Sequence, residues 1–255
     1  MAKYKYTVEG VGRTSLHNVF WVLKNDTDPL TGTLSLLWGN SGSSSKLKLK
    51  NSNIDLKGKF NEVEENEYDG VINKVIYKGE KFNVGSFTGS SKMKLTGINL
   101  SISDLSSKSI DQILQNIFSE SDTFTFVGKG KGLSAVNSYS SDTLKNPNKI
   151  LNLGAGDDVV KFVGPIRVFD FLDGGDGKDT YMLIAKKDGP PMVKLKGLKS
   201  EDIIDLRKNK IWDNSESFCK GNKSARWNLV ADTKNYEQTV WSEDGIACSE
   251  ADVIW

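Results

Sequence analysis

The segment "LDGGDGKDTYML", residues 172–183, carries the densest turn signal in the chain. Positions 173–179 hold three glycines and three aspartates, and the sequence then turns apolar. Glycine tolerates the backbone angles that close a tight turn, and aspartate supplies a hard anionic oxygen. Upstream, "LGAGDDVV" (153–160) repeats the order, so that Asp158 and Asp179 stand 21 residues apart. Two positions beyond each lies Val160 or Tyr181. "SDTF" around Asp122 and "SDTL" around Asp142 keep the aspartate and the apolar position but lose the glycines. The successive separations are 20, 16 and 21 residues. Self-similarity at a near-constant period is the mark of a structural repeat. Its unit is turn, short strand, turn, short strand, returning to one edge once per coil. That is a short parallel β-roll.

The flanks have other periods. "KLKLKNSNIDLKGKF" (46–60), "VINKVIYKGEKFNVGSF" (71–87) and "KMKLTGINLSIS" (92–103) alternate as strands with one buried face do. "GNSGSSS" (39–45) reads as a loop, and "NEVEENEYDG" (61–70) as a solvated acidic loop. In "SSKSIDQILQNIFSES" (106–121), Ile110, Ile113, Leu114, Ile117 and Phe118 form an amphipathic helical stripe, with Ser107 or Ser109 as N-cap. "SARWNLVADTKNYEQTVWS" (224–242) predicts a hairpin turning at Asp232–Asn235, with Trp227 and Trp241 on opposite arms. His17, amid Leu16, Val19, Phe20 and Trp21, reads as a partly buried strand residue. The predicted class is mainly β, in four parts. Residues 1–103 form an antiparallel β domain, 104–121 one helix, 122–206 the roll, and 207–255 a C-terminal β segment.

Composition excludes several functions. Lys+Arg of 34 against Asp+Glu of 33 leaves no net field to gather nucleic acid or an anionic membrane. No stretch approaches the roughly 20 apolar residues of a membrane-spanning helix, and "MAKYKYTVEG" lacks the apolar run of a secretory signal. With one histidine, any Ser–His–Asp triad would rest on His17, and neither GxSxG nor HExxH occurs. Cys219 and Cys248 are either two unrelated thiols or one disulfide closing the open end of the hairpin. No CxxC spacing points to zinc.

"GGDGKDTYM" (174–182) matches every fixed position of the GGxGxDxUx nonapeptide, and "LGAGDDVVK" (153–161) matches all but the first, where Leu153 stands. This part of the chain therefore resembles the RTX proteins. The resemblance implies Ca²⁺ bound in the turns, with Asp158 and Asp179 facing one ion from adjacent coils. Carbonyls around Gly154, Gly156, Gly175 and Gly177 would complete the roughly 6–8 oxygens that calcium takes. Val160 and Tyr181 would point into the roll, Asp173 and Asp176 into solvent, and Asp122 and Asp142 would bind weakly. "MVKLKGLKSEDIIDL" (192–206) is similar to the strand and acidic turn that close such rolls. "SEADVIW" is similar to the terminal motif of type I secretion substrates, and reads equally as a last strand. Export by that route implies an extracellular or cell-surface site, where calcium is abundant and folding can couple to it.

The function implied is a non-enzymatic, extracellular, calcium-binding structural or adhesion protein within a cell-surface or particle assembly. Its partners would be calcium, further copies of itself or surface carbohydrate, with no nucleic acid and no membrane span. The alternative is a secreted polysaccharide-active enzyme or its calcium-binding accessory module. A pore-forming toxin would need a long apolar segment, and the chain has none.

Overall fold

The computed structural model describes residues 1–12, 19–21, 23–24, 34–37, 45–49, 54–64, 67–79, 82–84, 87–129, 134–136, 150–186, 189, 191–208, 218–220, 226–233, 236–243 and 252–254. The fold is mainly β. Its first strands are β1 (Lys3–Gly12), β2 (Leu34–Leu37), β3 (Ser45–Leu49), β4 (Ile54–Glu64), β5 (Glu67–Lys78), β6 (Phe82–Val84) and β7 (Phe87–Ser101). Strands β2 to β5 form an antiparallel meander; β5, β6 and β1 each pair antiparallel with β7. The period-two pattern sorts the faces: Ile54, Leu56, Val75, Met93 and Leu95 are buried, while Lys57, Lys92 and Lys94 are exposed.

Two local expectations are corrected. The acidic stretch 61–70 is strand rather than loop, except for residues 65–66, which lie outside the described set. Its charges fall on a long hairpin whose ladder continues through Asn61↔Asp69 to Glu64↔Glu67. Cross-strand hydrogen bonding there overrides a composition that favours solvent. The single helix expected over 104–121 is two helices, α1 (Ile102–Ser107) and α2 (Ile110–Ile117). Lys108 is extended (φ −87°, ψ 154°), and Ser109, one of the two expected caps, opens α2 with a capping box to Gln112. Residues 19–21 and 23–24 are helical and bury Val19, Phe20 and Leu23. The Lys24 ammonium donates to the Ser106 and Lys108 carbonyls at 2.8 Å each, satisfying the end of α1. His17 itself, Asp142 and Cys248 lie outside the described residues, and with Cys248 the question of a disulfide.

Beyond α2 come β8 (Thr123–Lys129), β9 (Ser134–Val136), β10 (Ile150–Asn152), β11 (Val159–Val163), β12 (Ile166–Asp173), β13 (Thr180–Ile184), β14 (Met192–Lys196), β15 (Ile203–Asp205), β16 (Phe218–Lys220), β17 (Arg226–Thr233), β18 (Tyr236–Glu243) and β19 (Asp252–Ile254). The pairing among them is parallel, apart from the C-terminal hairpin of β17 and β18 and its neighbour β16. One ladder runs β1, β8, β11, β13, β15, β19. A second holds β9, β12, β14 and β18, with β10 also on β12. From β11 to β15 the chain alternates between the two. Strand β1 joins the halves, antiparallel to β7 on one side and parallel to β8 on the other.

The core lies on the inner face of these ladders. Tyr4, Phe124, Val160, Tyr181 and Ile204 align in one row by register, and Tyr6, Phe126 and Phe162 in the next. All are buried, as the repeat predicts for Val160 and Tyr181. Phe126 stacks on Phe162 with centroids 5.5 Å apart and planes at 13°. Burying each such side chain stabilises the fold by ~1.5–3 kcal/mol.

Candidate functional site

Four strands of the first ladder are each directly preceded by an aspartate: Asp122 before β8, Asp158 before β11, Asp179 before β13 and Asp202 before β15. The register Thr123↔Val159↔Thr180↔Ile203 puts the four in one column along a single edge. Their side chains are linked in one direction. The backbone N–H of Asp122 donates to Asp158 Oδ1 at 2.7 Å, that of Asp158 to Asp179 Oδ1 at 3.0 Å, and that of Asp179 to Asp202 Oδ1 at 2.9 Å. At the upper end the Ala2 N–H donates to Asp122 Oδ1. At the lower end the Asp202 N–H turns back to the Lys199 carbonyl, and Asp202 Oδ2 accepts the Lys199 N–H at 2.8 Å.

All four aspartates are at most 3% exposed. The second oxygens of Asp122, Asp158 and Asp179 are buried with no hydrogen-bond partner. Burial is the main reason that the Asp158 and Asp179 carboxyls are both pushed up to about 7. The N–H each accepts works against this, and the neighbouring carboxylates reinforce it, Asp179 on Asp158 and Asp202 on Asp179. Asp122 and Asp202 are raised by burial in the same direction. Such a column is stable only if its charge is removed by protons or balanced by a cation.

The glycines are required by how the turns stack. Ala155 bridges to Asp176, the Gly156 N–H donates to the Asp176 carbonyl at 2.8 Å, and the Asp176 N–H donates to the Gly154 carbonyl at 3.1 Å. Gly156 (φ +109°) lies so close to the preceding turn that a Cβ would come within 2.5 Å of Glu120 and Ser121 backbone atoms. A Cβ on Gly174 would overlap Asp179 Oδ2, so this glycine seats the carboxylate. Leu153 stands at the matching position one coil earlier and is fully buried; the two turns are therefore not equivalent. A second, outer line of contacts runs beside the column: the Asp157 N–H donates to Ser121 Oγ, and the Lys178 N–H to Asp157 Oδ1.

The donor chemistry suits a hard cation: anionic oxygens lacking partners, in register, beside backbone turns. Its distribution differs from the expected set. The Gly154 carbonyl already accepts from Asp176, and the Gly175 carbonyl from Lys199 Nζ at 2.6 Å. Among the described residues no three acidic, histidine or cysteine side chains converge on one point. A cation would therefore draw on the carboxylates pairwise, with backbone oxygens as the remaining ligands. Asp176 projects into solvent and lies 3.5 Å from Lys199 Nζ, whereas Asp173 Oδ1 accepts the Gly175 N–H.

Sequence reasoning placed Asp158 and Asp179 next to each other, and they are. It missed Asp202, although "EDII" repeats the aspartate with an apolar residue two positions on; Asp122, expected to bind weakly, occupies a full rung of the column. No protein-family model, curated protein or solved structure matches the chain. Among the described residues no helix is long and apolar enough to cross a membrane.

Proposed function

We propose that the chain is a calcium-binding, RTX-type structural or adhesion protein without enzymatic activity, working outside the cell as part of a surface or particle assembly. The observation that carries this reading is the column of buried carboxylates, three of which keep an oxygen without a partner. At neutral pH a buried anion of this kind is costly unless compensated, and a divalent cation between neighbouring rungs compensates two at once. Calcium takes carboxylate and carbonyl oxygens in flexible geometry, which fits a site made of stacked turns. Binding energy then becomes folding energy, so the edge would set only where calcium is plentiful. That agrees with export in an unfolded state by type I secretion. Once set, the module would present its outer strands to further copies or to surface carbohydrate.

Circular dichroism and thermal melting, in millimolar Ca²⁺ and in chelator, test the reading. Calcium should raise the melting temperature and sharpen the β signal. The double variant Asp158→Ala with Asp179→Ala should lose most of that gain. A wild-type protein that melts identically with calcium and with chelator would refute it.

A further inference from the structure

The outer face of the first ladder has a different chemistry from its edge. On β1 and β7 the inward positions are Tyr4, Tyr6, Met93 and Leu95, and the outward ones include Lys3, Lys5, Lys92 and Lys94. The register sets lysines directly opposite one another: Lys5 against Lys94, Lys57 against Lys74, and Lys78 against Lys92. Like charges directly opposed across an antiparallel pair lower stability. One of them is relieved by Asp55, 3.2 Å from Lys78. Burial, and then the charges of Lys94, Lys57 and Lys92, hold the Lys74 ammonium below its usual range. With 33 acidic residues in the chain, enough carboxylates exist to separate these lysines, yet the face gathers cations. A depression of about 380 Å³ opens there, lined by Lys5, Lys92, Lys94 and Lys129 together with Thr7, Ser90 and Ser91.

We infer that this face binds a linear anionic polysaccharide, with carboxylate or sulfate groups on Lys5, Lys92 and Lys94 and sugar hydroxyls on Thr7, Ser90 and Ser91. Outward lysines recur every second residue, about 7 Å apart along a strand, so a polymer with regularly spaced anions meets several at once. The interleaved hydroxyls donate and accept, as sugar hydroxyls require. Single-stranded nucleic acid fits less well, because it binds by stacking on aromatic rings. A bilayer fits less well too, since no apolar wedge is offered. The large hydrophobic side chains exposed among the described residues are Met1 and Trp21, and neither lines the depression. The proposal is independent of calcium in the turns, because none of the four column aspartates lines the depression.

The full chain is titrated with polygalacturonate and with heparin, at low and raised salt, in calcium and in chelator. Binding to at least one is expected, weakening as salt rises. Lys5→Glu/Lys92→Glu/Lys94→Glu should lose affinity on the order of tenfold or more, since three cations become repulsive. Lys208→Glu, outside the depression, should bind as the wild type does. The glutamine version of the triple variant should lose affinity while melting no lower than wild type, which separates lost recognition from lost fold. No binding to either polymer at low salt, unchanged binding by the glutamate variant, or tighter binding to duplex DNA or phosphatidylserine vesicles would each overturn the proposal.

Discussion

Replacing Asp158 and Asp179 together by asparagine should make the calcium-free protein more stable at neutral pH, not less. Asparagine keeps Oδ1, so the N–H groups of Asp122 and of residue 158 retain their acceptors. It removes the charge. In the wild type each carboxyl is raised from 3.8 to about 7 in the fold. The folded state thus holds protons that the unfolded state has released between those values, and stability falls as pH rises across that window. At about 1.36 kcal/mol per pH unit, each carboxyl costs about 4 kcal/mol at pH values above its folded pKa, compared with acid solution. That is a large share of the ~5–15 kcal/mol by which a domain is stable. The assay is urea unfolding in chelator at about pH 5 and about pH 8, for wild type and variant. Wild type should lose several kcal/mol on going up, and the variant distinctly less, because only the raised Asp122 and Asp202 carboxyls remain in it. Adding calcium at the higher pH should rescue only the wild type. The reasoning fails if calcium-free wild type is as stable at the higher pH as at the lower, or if the asparagine variant keeps a full calcium response. The Asp205–Arg207 pair does not confuse the result. Its hydrogen bonds hold the Asp205 carboxyl below the usual range, so its stabilisation is lost only as pH falls beneath that range.

Two further substitutions test how the coils are stacked. Gly156→Ala forces a side chain onto a residue at φ +109° and against the Glu120–Ser121 backbone. It should cost ~1–3 kcal/mol from backbone strain alone, read as a lower melting temperature in calcium and in chelator alike. Phe162→Ala opens a cavity beside Phe126 in the inner row and should cost ~3–5 kcal/mol by chemical denaturation, with an unchanged far-UV spectrum at low denaturant.

The two glycine–aspartate turns were the most legible part of the sequence because their chemistry is local. A left-handed glycine, an aspartate and an inward apolar residue all fall within eight positions, and register then follows from spacing. Asp122 and Asp202 were harder to see. Their rungs lack the run of glycines: helix α2 precedes one, and a short turn around Lys199, with Gly197 alone ahead of it, precedes the other. The place of β1 was not legible at all. Ala2 meets Asp122 across 120 residues, and nothing near residue 2 announces a parallel partner so distant. The helix boundary was half legible. Ser109 reads as a cap from its place just before the apolar stripe, whereas Ser101, which starts the earlier helix, did not. The acidic hairpin at 61–70 shows the opposite failure, where composition spoke for solvent and the partner strand prevailed.

The aspartate column has two sealed ends. Its upper neighbour, Ala2, can donate a hydrogen bond but has no carboxyl with which to receive another. At the lower end Lys199 occupies both the N–H and the spare oxygen of Asp202, and the sequence before β19 offers Ala251 instead of an aspartate. A one-dimensional array grows wherever a unit presents the same interface that it consumes, and terminal units that break this symmetry fix its length. The number of rungs is thus set by its two terminators and not by the coil itself. Neither end of the column can accept another rung.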